Sequence, residues 1–313
     1  MLEDIREGCS RVAARAHHVH LVTDAVPVLA ADLAADGLGT DPEDPAHHAV
    51  GATDEDRARF VLALDAVNFG SGWFPVLRKA PGASGYHTIA GALRDRGGVS
   101  VAEMRSAGGD WCAEVFGQDP EGPVQDLMGL FARSWNRMGE VIDGFGSALD
   151  LVAAAGHSAD RLVELLAWEH RMYRDVSEHE GERIPLFKRA QITAADLALA
   201  FGGEGPGRFD DLDRLTMFAD NLVPHVLRLA GVLRYDDALL ARIQADELLE
   251  HGSTEEVEIR AVAVHAVEEV VAALNAQGVG DATAGQVDMA LWHRGSRPEA
   301  KAHPRHRSRT TAY

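Results

Sequence analysis

Asp220 lies four residues ahead of Pro224 within Leu215–Leu233, a stretch that otherwise reads as one apolar helix. Proline has no N–H and its ring crowds the carbonyl four residues back, so a continuous helix would strand the Asp220 carbonyl. The chain is therefore expected to kink or restart near Asp220. A carboxylate at such a break, preceded by Phe218 and Ala219 and followed by Asn221, is placed for partial desolvation and so for acid, base or charge-stabilising work. It suits a plainer task equally, capping a helix whose first turn holds the proline. Local sequence leaves both readings open.

Other polar residues interrupt apolar runs. Asp65 and Asn68 sit among Leu62, Leu64, Val67 and Phe69, and lead into Gly70-Ser71-Gly72-Trp73-Phe74-Pro75. A glycine-rich corner of this kind lets backbone approach a ligand, with Phe69, Trp73 and Phe74 available to stack on a flat ring. The same aromatic residues also suit a core behind a helix-ending turn. Lys188 and Arg189 follow Pro185-Leu186-Phe187. A lysine so placed either snorkels to the surface or reaches inward to an acid such as Asp220 or Asp196. Glu256, Glu258 and Arg260 crowd the start of a long helix and, in the plainer account, form a solvated face.

The elements that must position these residues are helical almost throughout. Thr53 with Asp56 resembles a cap ahead of a helix over Arg57–Asn68, and Ser100 with Glu103 forms a capping box. A helix is predicted over Asp160–Val176 from a stripe running from Leu162 to Tyr173. Ser253 with Glu256 is read as another capping box, opening a long helix toward Asn275 and Gly278. Val257, Ile259 and Ala261 alternate with polar residues, but the cap ahead of them and the alanine-rich continuation favour helix. Strand signals are scarce. Gly37–Pro45, Pro81–Gly85, Gly117–Pro123 and Gly202–Gly207 read as loops, and no linker or repeat demands separate domains. The expected architecture is mainly α, one compact helical domain over residues 1–313.

Composition narrows the partners. With 46% apolar residues in 313, the chain can bury a large core. Its longest apolar run, within Leu149–Ala155, is too short to cross a bilayer, and Glu3, Asp4 and Glu7 stand where a secretory signal would carry lysines. No membrane association is expected. Cys9 and Cys112 match no metal or redox spacing, which fits a reducing, cytoplasmic setting. The 49 acidic against 30 basic side chains give a net charge of −19, which opposes a stable nucleic-acid complex but not a small phosphorylated ligand in a local cationic pocket. The cationic stretch is carboxyl-terminal, where Arg294, Arg297, Lys301, Arg305, Arg307 and Arg309 alternate with histidines. Such a run is commonly a solvated tail, yet Tyr313 as the last residue suggests an end folded back onto the body. His17, His18 and His20, and His47 and His48 in an acidic loop, lack the spacing of a zinc or two-metal site. No metal is expected. Nucleotide-triphosphate, serine-hydrolase and dinucleotide motifs are missing as well.

Four ordered blocks carry a resemblance: Leu64–Pro75, Phe187–Gln191, Thr216–Asp220 with Pro224, and Glu256–Arg260. Together with the closing Arg307-Ser308-Arg309 and Tyr313, they resemble the queuosine salvage family, whose members are queuosine 5′-phosphate N-glycosidases that release queuine. The likeness runs from about residue 60 to the end, within a catalytic body over 51–313; residues 1–50 match only loosely. It implies a helical, DNA-glycosylase-like architecture and a small-molecule substrate, queuosine 5′-phosphate, handled without metal or redox cofactor. It says nothing of oligomeric state, and two alternatives stay open: a glycosidase for another modified nucleoside or nucleotide, or a non-catalytic base-binding helical module.

The resemblance also implies roles. Asp220 would stabilise positive charge developing on the ribose as the C–N bond breaks, and orient or deprotonate the attacking water. Lys188 would lie beside Asp220, paired with it or touching the phosphate. Asp65 and Asn68 would read base edges or the cyclopentenediol amine, while Phe69 and Trp73 would stack on the ring. Phe218 and Asn221, flanking Asp220, would also contact substrate, and Arg305 or Arg307 would meet the phosphate.

Overall fold

A computed structural model describes residues 1–38 and 50–313. His47 and His48 lie outside the described residues. The fold is mainly α, with two short antiparallel strand pairs among the described residues. The chain divides into two compact units. The first gathers the amino-terminal segment, Asp175–Lys188 and Asp213–Arg309; the second runs up to Arg174 and adds Arg189–Leu212 and Thr310–Tyr313.

In the first unit the axis is the 23-residue helix Thr254–Ala276, in which every residue from Glu256 to Val264 is buried. A helix so enclosed must be covered on all sides. Leu2–Arg15, Val26–Asp36, Val223–Leu229 and Ala284–Ser296 pack against it, and so does the strand pair Val19–Leu21 with Leu233–Tyr235. Glu256, Glu258 and Arg260 are therefore interior side chains, each 0% exposed, and the solvated-face reading is corrected. Burial on this scale demands that each charge be paired. Glu258 accepts the N–H groups of His17, His18 and Val19 at 3.0, 2.7 and 3.2 Å, and Arg260 pairs with Asp175.

Ser253 caps this helix by accepting the Glu256 N–H, but the Glu256 carboxylate turns instead to the Gly252 N–H, 3.0 Å away. The restart expected near Asp220 is present, but no α-helix runs into it. The residues from 215 to 222 are not helical, and the helix begins only at Val223 with Pro224 in its first turn. The predicted Asp160–Val176 helix, which begins in the second unit, stops at Glu169; Val176–His179 is a strand that pairs with Glu182–Pro185. Glu180 and Gly181 between those strands both have positive φ, 50° and 79°, the conformation that a two-residue hairpin turn requires.

In the second unit, Gln125–Phe145 packs against Asp54–Asp65, Val101–Ser106, Gly109–Val115 and Ala148–Ala153. The Thr53 cap and the Ser100–Glu103 capping box are present as predicted. Phe116, Phe131 and Trp135 form an aromatic core, with the Trp135 indole N–H donating to the Ala63 carbonyl at 2.8 Å. The carboxyl end is folded in. Tyr313 is 2% exposed and its carbonyl accepts the Gly70 N–H at 2.9 Å. Gly70 has φ 98°, and a Cβ there would stand 2.5 Å from a Leu127 methyl, so both backbone and packing call for glycine.

Candidate active site

Asp220 is held where the extended segment meets the Val223–Leu229 helix. Its Oδ1 accepts the N–H groups of Leu222 and Val223 at 2.8 and 3.1 Å, the donors that a helix start leaves unpaired. The capping role is thus real. Among the described residues Oδ2 makes no hydrogen bond, and the side chain is partly exposed, so one carboxyl oxygen is anchored while the other stays available.

The first unit holds, besides Asp220, five of the expected residues. Phe218 is buried, and its N–H donates to Asp288 Oδ1 at 2.9 Å. Asn221 is buried and spends an amide hydrogen on the His306 carbonyl, 3.2 Å away, which ties the basic carboxyl-terminal segment to the Asp220 turn. Lys188 is buried rather than snorkelling. Arg305 is near enough to Asp220 for their charges to interact, and makes no hydrogen bond or ion pair of its own among the described residues. Arg307, by contrast, donates to the side chain and carbonyl of Asp246, both at 3.0 Å.

Asp288 was missed in the sequence. It is 5% exposed, and its pKa is raised well above the usual carboxylate range, first by burial and then by the charge of Asp220. The Phe218 N–H and the Lys188 ammonium oppose that shift without cancelling it. One signal for it exists: Ala284, Val287, Asp288, Leu291 and Gly295 share the buried face of the Ala284–Ser296 helix, so an aspartate occupies an apolar stripe. Asp220 and Asp288 make a pair of carboxyl groups in unlike surroundings, one partly open and anchored by backbone N–H groups, the other enclosed with its pKa raised. Such a pair divides naturally into a charge-stabilising group and an acid.

Over residues 47–313 the chain matches the family described as queuosine salvage protein. It belongs to the queuosine salvage family. It is 40% identical over 266 residues to a Sphaerobacter thermophilus protein named queuosine 5′-phosphate N-glycosylase/hydrolase, with 82% of this chain and 81% of that protein covered. Proteins of the same name from Bos taurus and Dictyostelium discoideum are each 31% identical, covering 83% and 82% of this chain and 83% and 78% of their own lengths.

The remaining expected residues of this family member lie in the second unit. Asp65 is 0% exposed and accepts from the Asn68 amide at 3.2 Å. Phe69 is buried, with the Arg189 guanidinium 4.6 Å above its ring and Phe131 against it edge-on. Trp73 is buried too. Arg189 organises this corner: it donates to the carbonyls of Asp65, Ala66, Met172 and Thr311, and lies between the rings of Phe69 and Tyr173. A guanidinium suits this place because the Asp54–Asp65 helix ends there with unpaired carbonyls and the negative end of its dipole. Among the described residues no three His, Cys, Asp or Glu side chains gather as a metal site would need. No described helix is long and apolar enough to cross a membrane.

Proposed function

We propose that this chain hydrolyses the N-glycosidic bond of queuosine 5′-phosphate, releasing queuine and ribose 5-phosphate. The observation that carries the reading is the divided Asp220 carboxyl, with one oxygen fixed by two backbone N–H groups and the other uncommitted. As the C–N bond lengthens, positive charge grows on the ribose. A carboxylate oxygen already oriented by the protein stabilises that charge without reorganising, and can accept a proton from the attacking water.

The leaving group sets the second requirement. A 7-deazapurine has carbon where a purine has N7, so departure cannot be helped by protonation at that atom. Asp288, whose pKa is raised by burial and then by the Asp220 charge, is assigned the role of proton donor to another polar atom of the base. Lys188, whose ammonium acts on Asp288, offsets the negative charge that Asp220 brings to the pair. Arg305 receives the phosphate; burial depresses its pKa, but an arginine remains charged at any working pH and here makes no hydrogen bond or ion pair among the described residues. Arg307, engaged by Asp246, is assigned no such role. A substrate the size of a nucleotide suits a chain of net charge −19 better than a polymer does. The buried free thiols of Cys9 and Cys112 fit a cytoplasmic setting.

The test is incubation of the purified chain with queuosine 5′-phosphate and, separately, with unphosphorylated queuosine, followed by chromatography of free base. Release from the nucleotide in preference to the nucleoside is expected. No release from the nucleotide sinks the reading.

A further inference from the structure

Asp175 and Arg260 meet deep in the first unit, 5% and 0% exposed. Their contact is bidentate, with Arg260 Nη1 3.0 Å from Asp175 Oδ1 and Nη2 2.6 Å from Oδ2. Each partner also holds a second piece of chain. Arg260 Nε donates to the Ala219 carbonyl at 2.9 Å, the peptide immediately ahead of Asp220. Asp175 Oδ2 accepts the Lys188 N–H at 3.2 Å, and the Asp175 carbonyl accepts the N–H groups of Leu186 and Phe187 at 3.0 and 3.2 Å. Phe187 has φ 46°, a left-handed conformation that a bulky residue adopts only when its surroundings impose it. One rigid fork therefore reaches from the peptide before Asp220 to the peptide that begins at Lys188.

A buried ion pair is weak evidence for stability, because the cost of removing both charges from water approaches or exceeds their attraction. What a planar guanidinium facing a carboxylate does supply is direction, since its N–H bonds leave at fixed angles. We infer that Asp175 and Arg260 are positioning residues that hold the Lys188 and Asp220 backbones at a fixed separation for the reaction. This inference rests on the glycosidase reading above. Neither side chain is assigned contact with substrate.

The test uses the full chain carrying R260K or the double substitution D175N/R260M. The lysine keeps the charge but cannot span three acceptors, and the double variant removes both charges of the pair while leaving Glu256, 3.6 Å from Arg260, to the Gly252 N–H and the His251 ring, so each is designed to retain the fold. Two readouts are taken: hydrogen exchange at the amides of Lys188, Leu222 and Val223, and the split between kcat and KM for queuosine 5′-phosphate. The inference expects cooperative unfolding, exchange at those amides about 10-fold faster, kcat lower by about 10- to 100-fold, and KM within about threefold of wild type. A folded variant with wild-type kcat or unaltered exchange overturns it. So does failure of both variants to fold, which would assign the pair to stability alone. If the wild-type chain releases no queuine, the activity reading fails by itself, and the exchange measurement still decides the positioning.

Discussion

The carboxyl of Asp288 accepts the N–H of Phe218 at 2.9 Å, which sets an enclosed acid of raised pKa against the segment that carries Asp220 only two residues further on. In the proposed reaction the two acids take separate duties, and the first two predictions follow from that division.

D220N and D220A should differ in stability but agree in activity. Asparagine keeps an oxygen for the N–H groups of Leu222 and Val223, whereas alanine removes the cap at a cost of about 1 kcal/mol. Neither restores a negative oxygen, so base release should fall by at least about 10²-fold in both. Thermal unfolding together with chromatographic assay checks both halves, and full activity in D220N would refute the charge-stabilising role.

D288N should flatten the alkaline side of the pH profile. A group with a raised pKa holds its proton over a wider range and loses it only as pH rises through that value, so the rate should fall on the alkaline side in wild type. Asparagine has no such step. Its rate should be lower by about 10²- to 10⁴-fold and nearly constant across that limb. A D288N profile that keeps the wild-type limb would assign it to another group.

R305A should raise KM for the nucleotide by roughly 10- to 100-fold, the loss of one charge-assisted hydrogen bond to a phosphate, and leave the nucleoside almost unaffected. R307A should change little, because Arg307 is already engaged by Asp246. Steady-state kinetics on both substrates separates the two arginines; equal losses on nucleotide and nucleoside would remove Arg305 from the phosphate.

H170Q should lessen acid sensitivity. His170 is buried with its ring nitrogen 2.9 Å from the Ser134 carbonyl, and burial first, then the Arg189 charge, push its pKa down to about 3. The unfolded chain takes up that proton near the ordinary value of 6.5, so stability is lost as pH falls below 6.5 and continues to fall toward 3. The slope is about 1.4 kcal/mol per pH unit for this group. Asp288 titrates in the opposite sense, so the informative quantity is the difference between wild type and H170Q in denaturant midpoints from pH 7 to 5. Parallel curves would contradict the assignment.

Much of the frame was legible in the chain because its causes are local. Thr53, Ser100 and Ser253 bind N–H groups three residues on, and Asp220 with Pro224 marks a helix start within four residues. Spacing along the chain reports such contacts directly. The non-helical run from 215 to 222 escaped because apolar residues there serve burial rather than helical periodicity. The strand after Tyr173 escaped because its partner and its Glu180-Gly181 turn, rather than its own pattern, determine it.

The sequence by itself determined that the chain is mainly helical, that the backbone breaks near Asp220, and which family its ordered blocks resemble. Only the tertiary structure decided what surrounds that carboxylate. Phe218 and Asp288 are 70 residues apart, and Asp175 and Arg260 are 85 apart, so no local period could pair them. The physical reason is burial. Whether Glu256 and Arg260 face water, or whether Asp288 keeps its proton, depends on which other elements close over them, and that is settled by packing rather than by neighbours in the chain.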